Sequence, residues 1–429
     1  MTAARYIDTY YRRTITEDAP RPALSDDIQA EICVIGGGLA GLTTALELAR
    51  KGHDVVVLEA RRVAWGASGR NGGSVSNGYS LGNTGIVDKV GLKDGKELFQ
   101  ISCDGVEIVR DNIRNLGLDD AQVVEAGKLG VIRYDDADGL KQSQALEAEK
   151  FGYESEFWDR AKLQENLLTD RYHYALFDSK GFHFHPLNYA LGLAREFERL
   201  GGRIFEDSPM LSVNYDRAPV TVKAGGGKVT AEQIVFCCGG YTDDSIPTLR
   251  RALLPIATYV ILTEPLDDRL ETAVRTNAQV GDDRRAADYY HATRDGRLLW
   301  GSRITTRIQD PANLAGLLMG DLLDVYPQLE GVEVDVAWSG LMGYPIHKMP
   351  QLGRLKPHAW YCTGFGGHGM NTTASCGQLI ANAIDHGDDR YKLFAPFGLS
   401  WNFGPLGPVG VQMTYWKYRF DDWRQERAG

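Results

Sequence analysis

Apolar residues 32–35 form a short β-branched run, the pattern of a strand buried on both faces. The run breaks into Gly36-Gly37-Gly38-Leu39-Ala40-Gly41, and Leu42, Ala45, Leu46 and Ala49 then recur at helical spacing. Arg50, Lys51 and Gly52 supply a C-terminal stop, and a second buried run at 55–58 ends on Glu59. Helical spacing returns over 86–117 (Val90, Leu98, Ile101, Val106, Ile108, Ile113, Leu116) and over 138–151, with strands around 123–133 between them. Pro186 suits the first turn of a helix over 187–200, and a strand restarts at Arg203. Residues 220–224 and 229–230 predict a hairpin around Gly225-Gly226-Gly227, and 234–241 a buried strand ending in glycines.

From Leu253 to Trp338 the pattern changes. Alternating runs at 257–262 and 298–302 predict an antiparallel sheet, with a polar helix over 311–326 beside it. A second strand, glycine loop and helix close the pattern, the helix covering 374–384. Residues 1–30 predict a surface arm with Tyr6, Tyr10 and Tyr11. Residues 391–429 carry Trp401, Trp416 and Trp423, and would cap a pocket or form a contact between copies.

Composition narrows the classes. At 429 residues the chain predicts two lobes, and 43% apolar with 24% charged residues describes an ordinary globular protein. A net charge of −10 argues against nucleic acid as a partner. No stretch approaches ~18 uninterrupted apolar residues, so no transmembrane segment is expected, and the first residues lack the apolar core of a signal peptide. Cysteines 33, 103, 237, 238, 362 and 376 form no C-x-x-C pair and no metal spacing, and predict reduced core residues of a cytoplasmic protein.

Glycines 36, 38 and 41 supply G-x-G-x-x-G in the strand–turn–helix setting that the motif needs. Gly36 allows the turn, Gly38 lets a pyrophosphate approach, and Gly41 lets helix and strand pack. Leu39 and Ala40 begin the helix whose positive end faces that phosphate. Glu59 can accept from both ribose hydroxyls and would repel the extra phosphate of NADP. Ala60 and Arg61 follow it, and then Gly66, Ala67, Ser68, Gly69, Arg70, Asn71, Gly72 and Gly73. Four glycines in eight residues fit a backbone wrapped closely around a flat ligand.

GGGLAG, a terminal LEA and GASGRNGG together resemble the flavoenzyme superfamily of D-amino-acid oxidase and sarcosine oxidase. The GASGRNGG wording is most similar to the amine-oxidising branch of γ-glutamylputrescine oxidoreductases. The resemblance implies FAD rather than NAD. It also implies an α/β fold: a Rossmann-like FAD-binding domain of glutathione-reductase type (residues 1–85, 181–250 and 336–390) interleaved with an α+β substrate domain on an antiparallel sheet (86–180 and 251–335). Residues 391–429 then form the C-terminal cap or interface. The same resemblance places adenine contacts near Met210, a second FAD-contacting strand end at Cys238-Gly239, and the pyrimidine end of the flavin at Gly340 and at Gly364, Gly366, Gly367, His368, Gly369 and Met370. A helix starting there would stabilise the negative charge of a reduced flavin.

Amine-oxidising members of this superfamily pass a hydride from the carbon bearing nitrogen to flavin N5, and the imine hydrolyses. The substrate nitrogen must first lose its proton. His347 and His368 are candidate bases, with Tyr289 a weaker one; each reads equally well as a hydrogen-bonded structural residue. In Asp288-Tyr289-Tyr290-His291, pocket lining competes with a core strand. His183 and His185 would point to one side of a strand, but no third ligand cluster accompanies them, so no metal is expected and a place near the flavin edge is preferred.

Departures from the sarcosine-oxidase pattern matter. The stretch matching its flavin-attaching cysteine, 338–349, contains none, so FAD is expected to be non-covalent, with His347 the one conceivable attachment point. Asn371 stands where that branch clamps a carboxylate with lysine, and its oxygen-activating lysine is missing from Arg297-Leu298-Leu299-Trp300-Gly301. Tyr289, Arg303, Lys348 and Asn371 remain candidates for holding a small-molecule substrate, with Arg354 a further possible carboxylate anchor. The sequence leads to an FAD-dependent oxidoreductase of a γ-glutamylated or related amine, passing electrons to oxygen or another acceptor. A secondary or cyclic amino-acid oxidase (pipecolate- or sarcosine-like) and a non-catalytic flavoprotein subunit are the alternatives.

Overall fold

The computed structural model describes residues 5–284 and 287–428; residues 1–4, 285, 286 and 429, which fall in the segments 1–85, 251–335 and 391–429 above, lie outside the described residues. Two large sheets organise the chain. In the first, Gln351–Lys356, Ala359–Thr363, Gly227–Phe236, Ile28–Ile35, Val55–Leu58 and Arg203–Phe205 lie in that order. The inner pairs of this sheet are parallel. Val220–Ala224 and Met210–Asn214 extend it antiparallel from Gly227–Phe236. Val55–Leu58 is buried at all four positions because Val55 and Val57 pack with Leu42, Ala45 and Leu46 of helix Leu39–Arg50, while Val56 and Leu58 pack with Val220, Val222 and Ala224 on the other face, which is why its sequence runs apolar rather than alternating.

Helices Leu39–Arg50 and Gly369–His386 pack directly on each other. Their approach is close: a Cβ on Gly377 would sit 3.0 Å from Thr43. Each begins immediately after a glycine turn at the end of a parallel strand. Two helix N-termini therefore aim into one cleft from different strands.

The second sheet runs Val334–Tyr344, Leu254–Thr263, Leu298–Thr305, Tyr289–Ala292, Gln279–Asp282, Lys128–Ile132, Tyr174–Asp178 and Glu156–Trp158. It is antiparallel except where Gln279–Asp282 meets Lys128–Ile132. Helix Leu314–Val325 covers one side through Leu314, Leu318, Leu322 and Val325. Helix Asn83–Asn115 begins three residues before and ends two residues short of the predicted 86–117, and kinks at Gly91, whose φ is +82°. The N-terminal arm is anchored more deeply than a surface arm, since Tyr10 and Tyr11 are buried and Tyr6 donates to the Val63 carbonyl at 2.8 Å.

Candidate functional site

Two cavities meet between the sheets. The first, about 560 Å³, lies across the C-terminal ends of Ile28–Ile35 and Gly227–Phe236. The second, about 470 Å³, separates the first from the antiparallel sheet. Ala67, Asn71, Met342, Gly366, Gly367, Gly369 and Met370 line both.

The glycine turn has no room for side chains. A Cβ on Gly36 (φ +106°) would lie 3.0 Å from the Cys237 carbonyl oxygen, and one on Gly41 would lie 1.9 Å from that of Gly36. Ser68 Oγ accepts from the Leu39 amide at 3.0 Å, fixing the loop against the first turn of the helix. Glu59 is held by two amides, from Gly37 at 2.7 Å and from Arg61 at 2.9 Å. Burial pushes its carboxyl pKa up while those amides oppose the shift. A carboxylate with two oxygens has lone pairs left for a diol.

The loop beyond Glu59 is fastened from beneath. Buried Glu206 accepts from the Val63 amide at 2.8 Å and the Arg21 amide at 2.9 Å, and pairs with Arg62 at 2.7 Å. Asn71 donates to the Ala67 and Ser68 carbonyls and accepts from the Gly73 amide at 2.8 Å. A Cβ on Gly73 would sit 2.0 Å from the Phe184 carbonyl oxygen. Arg70 donates to the Trp65 and Ser339 carbonyls and stacks on Trp65 at 4.3 Å. Burial lowers its pKa, and no carboxylate of the described residues pairs with it.

Gly36, Gly38, Leu39, Ala40, Glu59, Ala60, Arg61, Gly66, Ala67, Ser68, Asn71, Met210, Cys238, Gly239, Gly364, Gly366, Gly367, Gly369 and Met370 all line the first cavity. Arg70, Gly72, Tyr289, Arg303, Gly340, His368 and Asn371 line the second. Gly41 and Gly73 act through packing instead. A long glycine-edged cleft with a helix N-terminus at each part and an acid near one end fits a dinucleotide. Its join to a second chamber fits the flat ring of FAD better than an exposed nicotinamide site.

Other candidates land differently. His347 is on neither cavity wall: its Nε2 meets the Gly398 carbonyl at 3.1 Å and its Nδ1 accepts the Met349 amide at 3.2 Å, so it braces the loop. Lys348 also lies off both walls, with its ammonium 5.6 Å from the Tyr418 ring. Arg303 reaches the cavity but is held bidentately by Asp321 at 2.6 and 2.7 Å. Asn371 donates to the Ser102 carbonyl at 3.1 Å.

His183 and His185 do not converge. His183 stacks on His291 at 3.9 Å, whereas His185 caps helix Pro186–Arg199 by accepting the Asn188 amide at 3.0 Å. Of the aromatic stretch, Tyr289 lines the cavity, while Tyr290 is core, stacked on Trp300 at 4.4 Å. Tyr289 occupies a slot made by two glycines, since a Cβ on Gly301 or Gly72 would lie 2.0 or 2.5 Å from its ring. Burial raises its phenol pKa to about 12, so it stays protonated.

Sequence reasoning missed Lys128, which stands on the second cavity's wall. Its Nζ donates to Ser76 Oγ at 3.0 Å, and none of the described carboxylates pairs with it. Burial lowers its pKa against the opposing charge of Asp178. His368, on the same wall, places Nε2 2.9 Å from the Asn77 carbonyl. Burial, with the Lys128 charge second, depresses its pKa to about 4, so the imidazole is neutral at neutral pH. The available signal was a lysine opening an otherwise apolar strand after Gly127. Asp282 was missed as well, and Asp288 was named only as part of the aromatic stretch. They line the cavity within a network in which Arg133 meets them at 2.8 and 2.7 Å, and burial, with the neighbouring Asp282 charge second, raises the Asp288 carboxyl pKa.

Comparison with known proteins agrees with this geometry. The family profile described as DAO: FAD dependent oxidoreductase matches residues 31–383. Gamma-glutamylputrescine oxidoreductase of Escherichia coli K12 is 35% identical over 393 residues, covering 91% of this chain and 92% of that protein. Probable oxidoreductase OrdL of Haemophilus influenzae is 34% identical over 398 residues, covering 91% and 90%. The crystal structure of glycine oxidase from Geobacillus kaustophilus superposes with a TM-score of 0.70 at 18% identity, covering 87% of this chain and 98% of that one. The chain belongs to the DAO family of FAD-dependent oxidoreductases.

Proposed function

We propose that the enzyme oxidises a C–N bond of a small amine, of the γ-glutamylputrescine kind or related to it. The observation that carries this reading is Lys128: an amine with no carboxylate partner among the described residues, on the wall of a chamber that opens onto the cofactor cleft. Similarity to γ-glutamylputrescine oxidoreductase of E. coli supports the substrate class.

Bound FAD supplies the hydride acceptor, and the imine product hydrolyses in water. The chain does the rest. Lys128, whose unprotonated form burial favours, takes the proton from the substrate ammonium, which frees the nitrogen lone pair. The N-terminus of Gly369–His386, with no acidic residue in its first turn, presents positive potential to the cleft and would stabilise negative charge on a reduced flavin held there. Tyr289 and Met342 shape the chamber, and Ser76 Oγ holds the Lys128 side-chain nitrogen in place at 3.0 Å. Arg303 is occupied by Asp321, which favours an amine over a substrate recognised chiefly through its carboxylate.

A panel of amines and cyclic or N-methyl amino acids, mixed anaerobically with the holoenzyme, tests the reading. A γ-glutamylated diamine is expected to bleach the oxidised-flavin band fastest. Faster bleaching by pipecolate or sarcosine would transfer the assignment to the amino-acid class, and no bleaching by any substrate would end the enzymatic reading. The same reaction in air with peroxide detection separates an oxidase from a dehydrogenase.

Non-covalent FAD also belongs to this proposal. His347 lies off the cavity, and Cys238, on its wall, has a thiol whose pKa is driven up by burial, leaving a poor nucleophile. Acid precipitation is expected to release all yellow colour to the supernatant; colour retained in the pellet would refute the prediction.

A further inference from the structure

Helix Leu406–Ala428 is apolar on two opposite faces. On the inner face, Val411, Tyr415 and Tyr418 pack with Leu254, Ile256 and Tyr344 of the second sheet. On the outer face, Leu406, Val409, Met413, Trp416, Phe420 and Trp423 are each between 49% and 71% exposed. The outer six follow alternating steps of three and four, the a and d positions of a heptad seam. Val411, Tyr415 and Tyr418 fall at f and c, the side remote from that seam. The body grips the back of the helix and turns the seam outward.

We propose that this seam is an interface between two copies of the chain, paired as antiparallel helices. Area is the first argument. The six seam side chains together present on the order of 700–800 Å². That exceeds the ~300–600 Å² of the largest apolar patch on an ordinary monomer and matches the ~800 Å² per partner of a stable complex.

Charge decides the direction. Parallel in-register pairing sets Arg419 at g against Arg424 at e of the second copy, a like-charge contact. An antiparallel pairing centred between Thr414 and Tyr415 sets Met413 opposite Trp416, Val409 opposite Phe420, and Leu406 opposite Trp423. It also moves Arg419 beside the uncharged Gln412. Small faces large at the outer layers, and the same patch serves both copies, as a two-fold interface requires.

Light scattering on the flavin-loaded protein is expected to give twice the 47.4 kDa chain mass at micromolar concentration. Trp416→Glu/Phe420→Glu is expected to halve that mass with flavin content and turnover retained. Leu211→Glu, 64% exposed elsewhere, should leave the dimer intact. Nitroxides at Arg427→Cys should lie roughly 35–40 Å apart along the helix axis at ~1.5 Å per residue; labels side by side would refute the antiparallel order. A wild-type mass of one chain overturns the proposal whatever the variant does, as does a dimer that survives the double substitution. A monomer that sediments with phosphatidylglycerol-containing vesicles would assign the face to lipid instead.

Discussion

Gly41→Val will purify colourless. Even the first carbon of the new side chain would lie 1.9 Å from the Gly36 carbonyl oxygen and 3.1 Å from its carbon, and both are backbone atoms. Neither can swing aside like a flexible side chain, so helix Leu39–Arg50 must move away from strand Ile28–Ile35. Overpacking of this kind costs about 1–3 kcal/mol, and it displaces the turn that frames the cofactor cleft. The expected result is flavin occupancy below a tenth of wild type and activity reduced on the order of 10²-fold or more. The second sheet has its own core around Trp300, Tyr326 and Leu318, so the protein should still show a cooperative melt. Gly52→Val is the control. Gly52 ends the same helix at φ +90° with nothing within 4 Å, so its substitution strains the backbone without touching the cleft. Full flavin stoichiometry in Gly41→Val would show that the turn is not the cofactor's cradle.

What the sequence revealed follows the range over which each signal acts. The turn at 36–41, the acid at 59 and the loop at 364–370 were legible because strand, glycine and helix are neighbours in the chain. Their packing demands are local as well: the Gly41 clash is with Gly36, five residues away. Roles set by distant partners were not legible. Arg303 was a free carboxylate anchor until Asp321, on a separate helix, occupied it at 2.6 Å. His347 read equally well as a base or as a structural residue, and the Gly398 carbonyl and Met349 amide engage its two nitrogens. His183 and His185 shared a strand pattern, yet one stacks on His291 and the other caps a helix. The wall of the second cavity gathers Ser76, Lys128, Tyr289 and His368 from four separate parts of the chain, and no periodicity records that meeting.

Lys128→Met will keep its flavin and lower kcat/KM at neutral pH by roughly 10²–10⁴-fold, the usual worth of a positioned base. Hydride cannot leave readily from a carbon bonded to an ammonium nitrogen, which has no lone pair to form the C=N bond. Lys128 suits proton removal because burial favours its neutral form. Its surroundings do little to restore the charge. Asp178, on the paired strand, is engaged by the Tyr153 hydroxyl at 2.7 Å and the Lys180 amide at 2.9 Å. His368 is neutral, and Ser76 and Gln279 carry no charge. A base acts in its unprotonated form, so wild-type kcat/KM should rise with pH through the depressed Lys128 pKa and then level off. In Lys128→Met the rise should instead follow deprotonation of the substrate amine itself, near pH ~10 for an alkylammonium. The deficit therefore shrinks as pH increases. Lys128→Arg should share the defect, since a guanidinium keeps its proton. A lysine that merely supports the cavity predicts a loss of equal size at every pH. An unshifted acid limb in the methionine variant, with its flavin spectrum intact, would remove Lys128 from the chemistry.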